Sequence, residues 1–489
     1  MRLSVHSIPS IPPPESAPLY LRTAQALERQ IQDSTLQTGE RVPSIRALSR
    51  QQGVSISTVL QAYMWLESRG MIEARPQSGF YVAARPAARM PEPTFRGGPP
   101  EAPTEVTLAQ VLEEIIETGA RPHPAPLGCA VGHPSYFPAP QINRRMREVL
   151  RDDPDTTAVY QLPGGCEELR RQIARRALAG GCNLAPDEVI VTHGAMEALN
   201  IAIRSVARPG DAVAVESPTY FGILQIFESL GIRAVEIPTH PHTGIDLNSL
   251  ETSIRRHRVK ACLVMANCHN PLGYVMSDQS KQALVDLVQR HDMPLIEDDV
   301  YGELVFDTRR RRALKAFDRK GLVLQCSSFS KILAPGLRVG WLVPGRYAAK
   351  ARRLKFTSSG GNALAAQIAI AGFLKSTAYD RHLRKLRATY QRNIDRCCEG
   401  VARYFPAGTR ISRPAGGYVL WIELPRGGKA LALYRQARQQ GITFVPGPLF
   451  SANGNFGNCF RLSCGYPWND AFDRGLRALG ELVGCPSNG

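Results

Sequence analysis

Paired cysteines, lysine and long apolar runs are all scarce in this sequence. Eleven cysteines occur without a single CxxC pair; Cys397 and Cys398 are adjacent, and Cys459 and Cys464 stand five apart with no histidine at ligand spacing. That scatter argues against a zinc ribbon or a disulfide framework and for reduced thiols, so no metal is expected. No apolar stretch approaches the ~18 residues of a membrane helix. The opening MRLSVHSIPSIPPPES lacks the continuous apolar core of a secretory leader. The expectation is a cytoplasmic protein with no membrane partner. Lysine occurs ten times, and nowhere before Lys260.

What is present describes a globular chain. At ~150 residues per domain, 489 residues make two or three domains. A net charge of +17 invites a polyanion, yet residues 1–85 carry a net of only +3. The surplus lies in the larger part, for example in Arg309–Arg312, where a run of arginines reads as a solvated loop. Charge alone therefore does not locate a nucleic-acid site. The one composition break, AARPAARMPEPTFRGGPPEAP from Ala83 to Pro103, is rich in Pro, Gly, Ala and Arg. It reads as a semi-stiff linker over 84–105, between a domain at 15–83 and another at 106–485.

The first domain has a helical rhythm that ends in strands. Tyr20, Ala24, Leu27 and Ile31 make an amphipathic stripe that Gly39 ends. Pro43-Ser44 opens a short helix with Ile45 and Leu48 inward, and Gly53 turns the chain. Ser55 can cap a third helix bearing Val59, Tyr63 and Leu66 on one face, which Gly70 stops. Met71–Glu73 and Phe80–Val82 read as two strands of a hairpin. Three helices and a two-stranded wing describe a winged helix-turn-helix, whose third helix enters the major groove of double-stranded DNA. Candidate DNA contacts are Ser55, Ser57 and Thr58 at the start of that helix, Arg41 and Arg46 beside it, and Arg75, Gln77 and Ser78 at the wing tip.

The stretch from Leu19 to Val82 resembles the GntR winged-helix family in its Pro-Ser-x-Arg element, Gly-Val-Ser turn, Thr-Val start and Ala-Tyr pair. One position departs: the family usually carries a basic residue after the Gly-Val-Ser turn, and here Ile56 stands, removing a phosphate or guanine contact.

The second domain alternates apolar β-branched runs with helical patterns. The runs are Val189–Gly194, Ala212–Ser217, Ala261–Asn267, Pro294–Asp299 and Leu322–Ser328, the signature of an α/β domain with a largely parallel sheet covered on both faces. Lys331 follows the last run, in SSFSKILAPGLRVGW. A lysine there can form an imine with a carbonyl cofactor. Ser328 and Arg338 flank it with a hydroxyl and a guanidinium suited to a phosphate. Asn270 follows the third run; Asp298 ends the fourth, with Tyr301 three residues on. A carboxylate opposite a pyridine nitrogen makes the ring an electron sink. Gly194-Ala195-Met196 sits between strand and helix, where backbone N–H groups meet a phosphate. Tyr220 offers a stacking face.

From about Leu127 to Leu482 the chain resembles a fold-type I aminotransferase of the aspartate aminotransferase class, with a large α/β domain and a small α+β C-terminal domain. The resemblance implies pyridoxal 5'-phosphate on Lys331, with Lys331, Asp298 and Tyr301 as the catalytic set. It implies that Asn270 and Tyr301 contact the ring oxygen and that Tyr220 stacks on the ring. Ala195, Met196, Ser328 and Arg338 would hold the phosphate, joined by Tyr160 from the neighbouring subunit. Arg461 would bind a substrate carboxylate. Asn-Pro-Leu-Gly stands at 270–273 where the family usually has Asn-Pro-Thr-Gly.

Joined in this order, the two domains resemble the MocR subgroup of GntR-type regulators. That resemblance implies a homodimer whose aminotransferase-like part senses an amino compound or the cofactor itself, with a helix around Val106–Glu117 starting the dimer contact. Two other functions stay open: a working class I/II aminotransferase with an appended DNA-binding module, and an enzyme whose first domain docks protein.

Overall fold

A computed structural model describes residues 18–33, 35–36, 40–69, 71–75, 79–82, 90–95, 97–98, 102–106, 127–307 and 311–484. The chain divides into two compact units, Met1–Arg89 and Met90–Gly489.

The first unit has the expected order: α1 (Leu19–Gln32), α2 (Ile45–Gln52), α3 (Ile56–Ser68), then β1 (Ile72–Arg75) paired antiparallel to β2 (Gly79–Val82). The local chemistry is that of the sequence. The Ser44 hydroxyl accepts the Ala47 N–H at 3.2 Å, and the Ser55 hydroxyl accepts that of Thr58 at 3.1 Å, so each serine satisfies a donor that the first helical turn leaves open. Gly53 closes α2 at φ 64°, a left-handed conformation that costs a glycine little. Leu27, Leu48, Val59, Tyr63 and Leu66 form the core between the helices, and Tyr63 meets Phe80 of the wing edge-on at 5.0 Å.

The second unit is built on an eight-stranded sheet of β3 (Ile190–Thr192), β4 (Ala212–Ser217), β5 (Arg233–His240), β6 (Gly244–Ile245), β7 (Ala261–Val264), β8 (Leu295–Asp298), β9 (Val323–Ser328) and β10 (Gly340–Val343). Its order is β3-β10-β9-β8-β7-β4-β5-β6. Strands β5, β4, β7, β8 and β9 run parallel, while β10 is antiparallel to both its neighbours. The apolar runs Ala212–Val215 of β4 and Ala261–Val264 of β7 follow from burial on both faces. A second, antiparallel sheet of β11 (Arg410–Ile411), β12 (Val419–Glu423), β14 (Cys459–Ser463) and β13 (Val445–Pro446) makes the smaller C-terminal part. A 28-residue helix, Thr377–Tyr404, leads into it.

Described residues of the segment expected as a linker over 84–105 are bound to the second unit. Residues 90–95 lie along the small sheet: the Ile411 N–H donates to the Pro91 carbonyl at 3.0 Å, and Thr94 donates from N–H and hydroxyl to the Glu423 carboxylate at 2.6 and 3.2 Å. Glu92 pairs with Arg413 of the small part at 3.0 Å and with His242, beyond β5 of the large sheet, at 2.5 Å. Thr104 pairs with Ala234 of β5, and Val106 is buried in the main core. Proline and alanine carry no periodic pattern, so a segment bound through backbone and single side chains is invisible to one. The rest of the expected 106–117 helix, Gln77 and Ser78 of the wing tip, the side chain of Arg75, the glycines at 39 and 70, and Arg309 and Arg310 lie outside the described residues.

Candidate functional site

The carboxyl ends of the parallel strands converge on one cavity of about 810 Å³. This is where an open α/β sheet holds its ligands. The strand ends supply the walls: Asp298 is the last residue of β8, Ser328 the last of β9, and Lys331 follows three residues later. The turn after β3 brings Gly194, whose next residue starts the helix Ala195–Val206. Tyr220 caps the helix Phe221–Leu230 after β4, and Asn270 comes from the loop beyond β7. Arg461 enters from β14 of the small sheet.

Lys331, Asp298, Tyr301, Asn270, Tyr220, Ala195, Met196, Ser328, Arg338 and Arg461 all line this cavity. Tyr160 does not; its side chain is fully exposed on the single chain. In the first unit Arg41, Arg46, Ser55 and Ser57 are exposed and Thr58 is half-buried.

Burial dominates the electrostatics. The Lys331 Nζ donates to the Ala130 carbonyl at 2.8 Å, and burial pushes its amine down to about 8, against the pull of Asp298. Burial likewise pushes the Asp298 carboxyl up to about 7, although its Oδ1 accepts the Val300 N–H at 3.2 Å. Burial raises the Tyr220 and Tyr301 phenols, so both stay protonated donors. Arg461 is 1% exposed. Its Nη1 donates to Asn270 Oδ1 at 3.2 Å and its Nη2 to the Gly128 carbonyl at 2.6 Å, both neutral acceptors, and its Nε finds no acceptor among the described residues. Phe221 and Phe450 lie within 5.8 and 5.4 Å of the guanidinium.

A buried guanidinium without a carboxylate, and a buried carboxylate without an ion pair, are costly unless ligands complete them. A zwitterionic or dianionic occupant does so. The third feature is a cradle. Gly194 stands at φ 79°, and a Cβ there would lie 2.5 Å from Arg338 Nη2, so backbone and guanidinium close on the same space. Arg338 is held by the Ser330 hydroxyl at 3.2 Å and the His193 carbonyl at 3.3 Å. The first N–H groups of the Ala195 helix, lacking intrahelical acceptors, open beside it. These residues fit pyridoxal phosphate: Lys331 for the aldehyde, Asp298 for the ring nitrogen, Arg338 and Ala195-Met196 for the phosphate.

Sequence reasoning missed the wall opposite Lys331. Gly128, Cys129, Ala130, Val131 and His133 line the cavity from a segment without regular structure. The Tyr418 hydroxyl also donates to the Ala130 carbonyl, at 3.0 Å. Nothing periodic marks GCAVGHP. Ser330, by contrast, had a signal: it is the hydroxyl next to Lys331. Behind Asn270, the Tyr274 hydroxyl donates to buried Glu216, whose other oxygen lies 3.3 Å from His269.

The family model for aminotransferases of class I and II matches residues 126–474, and that for bacterial regulatory proteins of the gntR family matches residues 19–82. The HTH-type transcriptional regulator YjiR of Escherichia coli, itself uncharacterised, is 39% identical over 95% of this chain and 98% of its own length. The chain belongs to the GntR-type transcriptional regulators fused to an aminotransferase domain. The MocR resemblance and the α/β fold expected from the sequence hold. The second unit of the regulator is also similar to enzymes. The 2-aminoadipate transaminase of Thermus thermophilus is 28% identical over 77% of this chain and 94% of its own length. The structure of LysN, the α-aminoadipate aminotransferase of that organism complexed with N-(5'-phosphopyridoxyl)-L-leucine, superposes with a TM-score of 0.71 at 28% identity, covering 77% of this chain and 95% of that one. Among the described residues no helix is long and apolar enough to cross a membrane, and no cluster of ligating side chains could hold a metal.

Proposed function

We propose that the regulator binds an operator through its winged helices as a homodimer, in the cytoplasm. Its aminotransferase-like unit holds pyridoxal 5'-phosphate and senses an amino compound, or the cofactor's own abundance. One observation carries this reading: Lys331, Asp298, Arg338 and Arg461 meet in one cavity, and the Nε of buried Arg461 is left without an acceptor. Bound there, pyridoxal phosphate would supply an aldehyde for a primary amine and an electron-withdrawing ring.

The chain's own groups divide the remaining work. Lys331, with its amine lowered to about 8, has a neutral nucleophilic fraction near physiological pH. Asp298 would share a proton with the ring nitrogen of bound pyridoxal phosphate. Tyr301 and Asn270 would donate to its ring oxygen, and Tyr220 would cover the ring. Arg461 takes the carboxylate of the incoming compound and trades its neutral acceptors for a charge. A ligand shifts a conformational equilibrium only through contacts that differ between its states, and Arg461 provides that difference. It sits in register with Trp421 on the small sheet, while Asn270 comes from the loop beyond β7 of the large one. Its occupancy therefore bears on how the two sheets meet.

The test is footprinting of the operator with pyridoxal phosphate present, repeated with a panel of amines and amino acids. The parent protein should absorb visible light with the cofactor and Lys331→Ala should not; an unchanged spectrum refutes the cofactor assignment. A footprint indifferent to cofactor and to every amine refutes the sensor.

The complete set of cavity residues also supports a second reading, an active aminotransferase. A lysine, an acid beside the ring nitrogen and a carboxylate clamp suffice for proton abstraction at Cα. Sustained turnover of an amino acid with a keto acid favours it; a single conversion without turnover favours the sensor.

A further inference from the structure

The outward face of α3 is uncharged and partly apolar. Val59, Ala62, Tyr63 and Leu66 turn into the core, each at most 1% exposed, whereas Ile56, Leu60 and Met64 are 54%, 43% and 59% exposed. Spacing of four aligns the exposed three on one stripe. Ser57 and Gln61, exposed and likewise four apart, form the stripe beside it. Glu67, the one charged side chain on the helix, turns to the wing and accepts the Ala74 N–H at 3.3 Å. Exposed cations sit on the neighbouring elements: Arg41, whose guanidinium lies against Gly79 of the wing, and Arg46 and Arg50 on α2, which packs against α3. The Ser55 hydroxyl is engaged by Ser57 at 2.8 Å and Thr58 at 2.7 Å, in addition to capping the helix.

Exposed arginines on the neighbouring elements and stripes of isoleucine, leucine and glutamine on α3 match duplex DNA in one way. The arginines suit phosphates. Ile and Leu do not, because they donate nothing. In the major groove the one apolar group on a base edge is the thymine 5-methyl, and a glutamine amide pairs with adenine N6 and N7. Ile56 opens the helix and Leu60 follows one turn later, about 6 Å along the axis, within the part of a recognition helix that reaches base edges.

We propose that Ile56 and Leu60 read thymine methyl groups, with Gln61 on an adjacent adenine, so that each half-site is specified by A·T pairs and the arginines contribute affinity without sequence. This rests on the regulator reading.

The experiment selects duplexes from a random 24-base-pair library with the full-length protein. It then compares isotherms for the selected duplex and its uracil-for-thymine counterpart. A·T pairs should recur at fixed positions. Uracil should weaken binding about fourfold per contacted methyl, the worth of one buried carbon group. Ile56→Ala with Leu60→Ala should bind both duplexes alike, with the parent's salt slope and melting temperature, because both side chains are exposed. Equal affinity of the parent for both duplexes overturns the proposal while leaving DNA binding intact. So does a double variant that still discriminates uracil. A double variant that loses its dimer, with uracil ignored by the parent, assigns the stripe to a second copy instead and overturns it. Failure to bind any duplex at low salt sinks the regulator reading along with it.

Discussion

Burial pushes both Asp298 and Lys331 toward their neutral forms. The Asp298 carboxyl, near 3.8 when unfolded, rises to about 7 in the fold. The folded chain then binds more protons than the unfolded one between those values, so its stability is fullest below the lower value and is lost as pH rises through about 7. Asp298→Asn is therefore expected to raise the melting temperature of the cofactor-free protein at pH 8 by several degrees, while weakening capture of pyridoxal phosphate. Scanning calorimetry with and without cofactor checks both halves, and an unchanged apoprotein melting temperature would contradict the strain argued for this carboxylate. Lys331 has the opposite sign. Its amine falls from 10.5 to about 8, so stability grows as pH rises through that window, and the rate of cofactor capture should climb with pH to a plateau above about 8. Stopped-flow absorbance reads that rate. At the cradle, Gly194→Ala would place a methyl 2.5 Å from Arg338 Nη2 at a backbone angle alanine disfavours. Cofactor affinity is expected to drop at least tenfold, on the order of 1.4 kcal/mol, with the winged unit's DNA binding at low salt retained.

Among the elements, the caps and turns of the winged unit were legible and the strap over 90–95 was not. Ser44, Ser55 and Gly53 announce α2 and α3 because capping is local chemistry. Strap contacts are single and distant: Thr94 with Glu423, Pro91 with Ile411, Glu92 with both Arg413 and His242. Exposed ion pairs are worth about 0–1 kcal/mol each, so Glu92→Ala alone should lower stability little. Combined with Thr94→Val, it should free the segment enough that trypsin releases the N-terminal unit several-fold faster. Electrophoresis of a timed digest checks this, and an unchanged rate would show that backbone contacts alone hold the strap. Strand ends were likewise only half legible. The run to Asn267 reads as one strand, but β7 stops at Val264, because the chain leaves the sheet to carry Asn270 into the cavity.

For the whole molecule, the exposed side chain of Tyr160 and the neighbouring exposed apolar groups Val159 and Leu162 agree with a covered face in a homodimer. Sedimentation should give a dimer, and Tyr160→Ala should weaken cofactor binding without dissolving it if this tyrosine serves the partner's site. Operator affinity should fall steeply with salt through the release of phosphate counterions. A flat salt dependence, measured by anisotropy between low and physiological ionic strength, would argue against the regulator.

The sequence by itself determined the two folds, their order, and many of the side chains that line the cavity, because most of those groups sit at or just beyond a strand end or helix start marked by local pattern. It determined too that α3 begins with an isoleucine. Only the tertiary structure decided what these groups face. The Ala130 wall, the orphaned Nε of Arg461, the strap across both sheets and the exposed stripe of α3 depend on pairs of residues tens to hundreds of positions apart. No local periodicity encodes which distant group will be the neighbour, and burial by that neighbour sets the charge of the lysine and the acid.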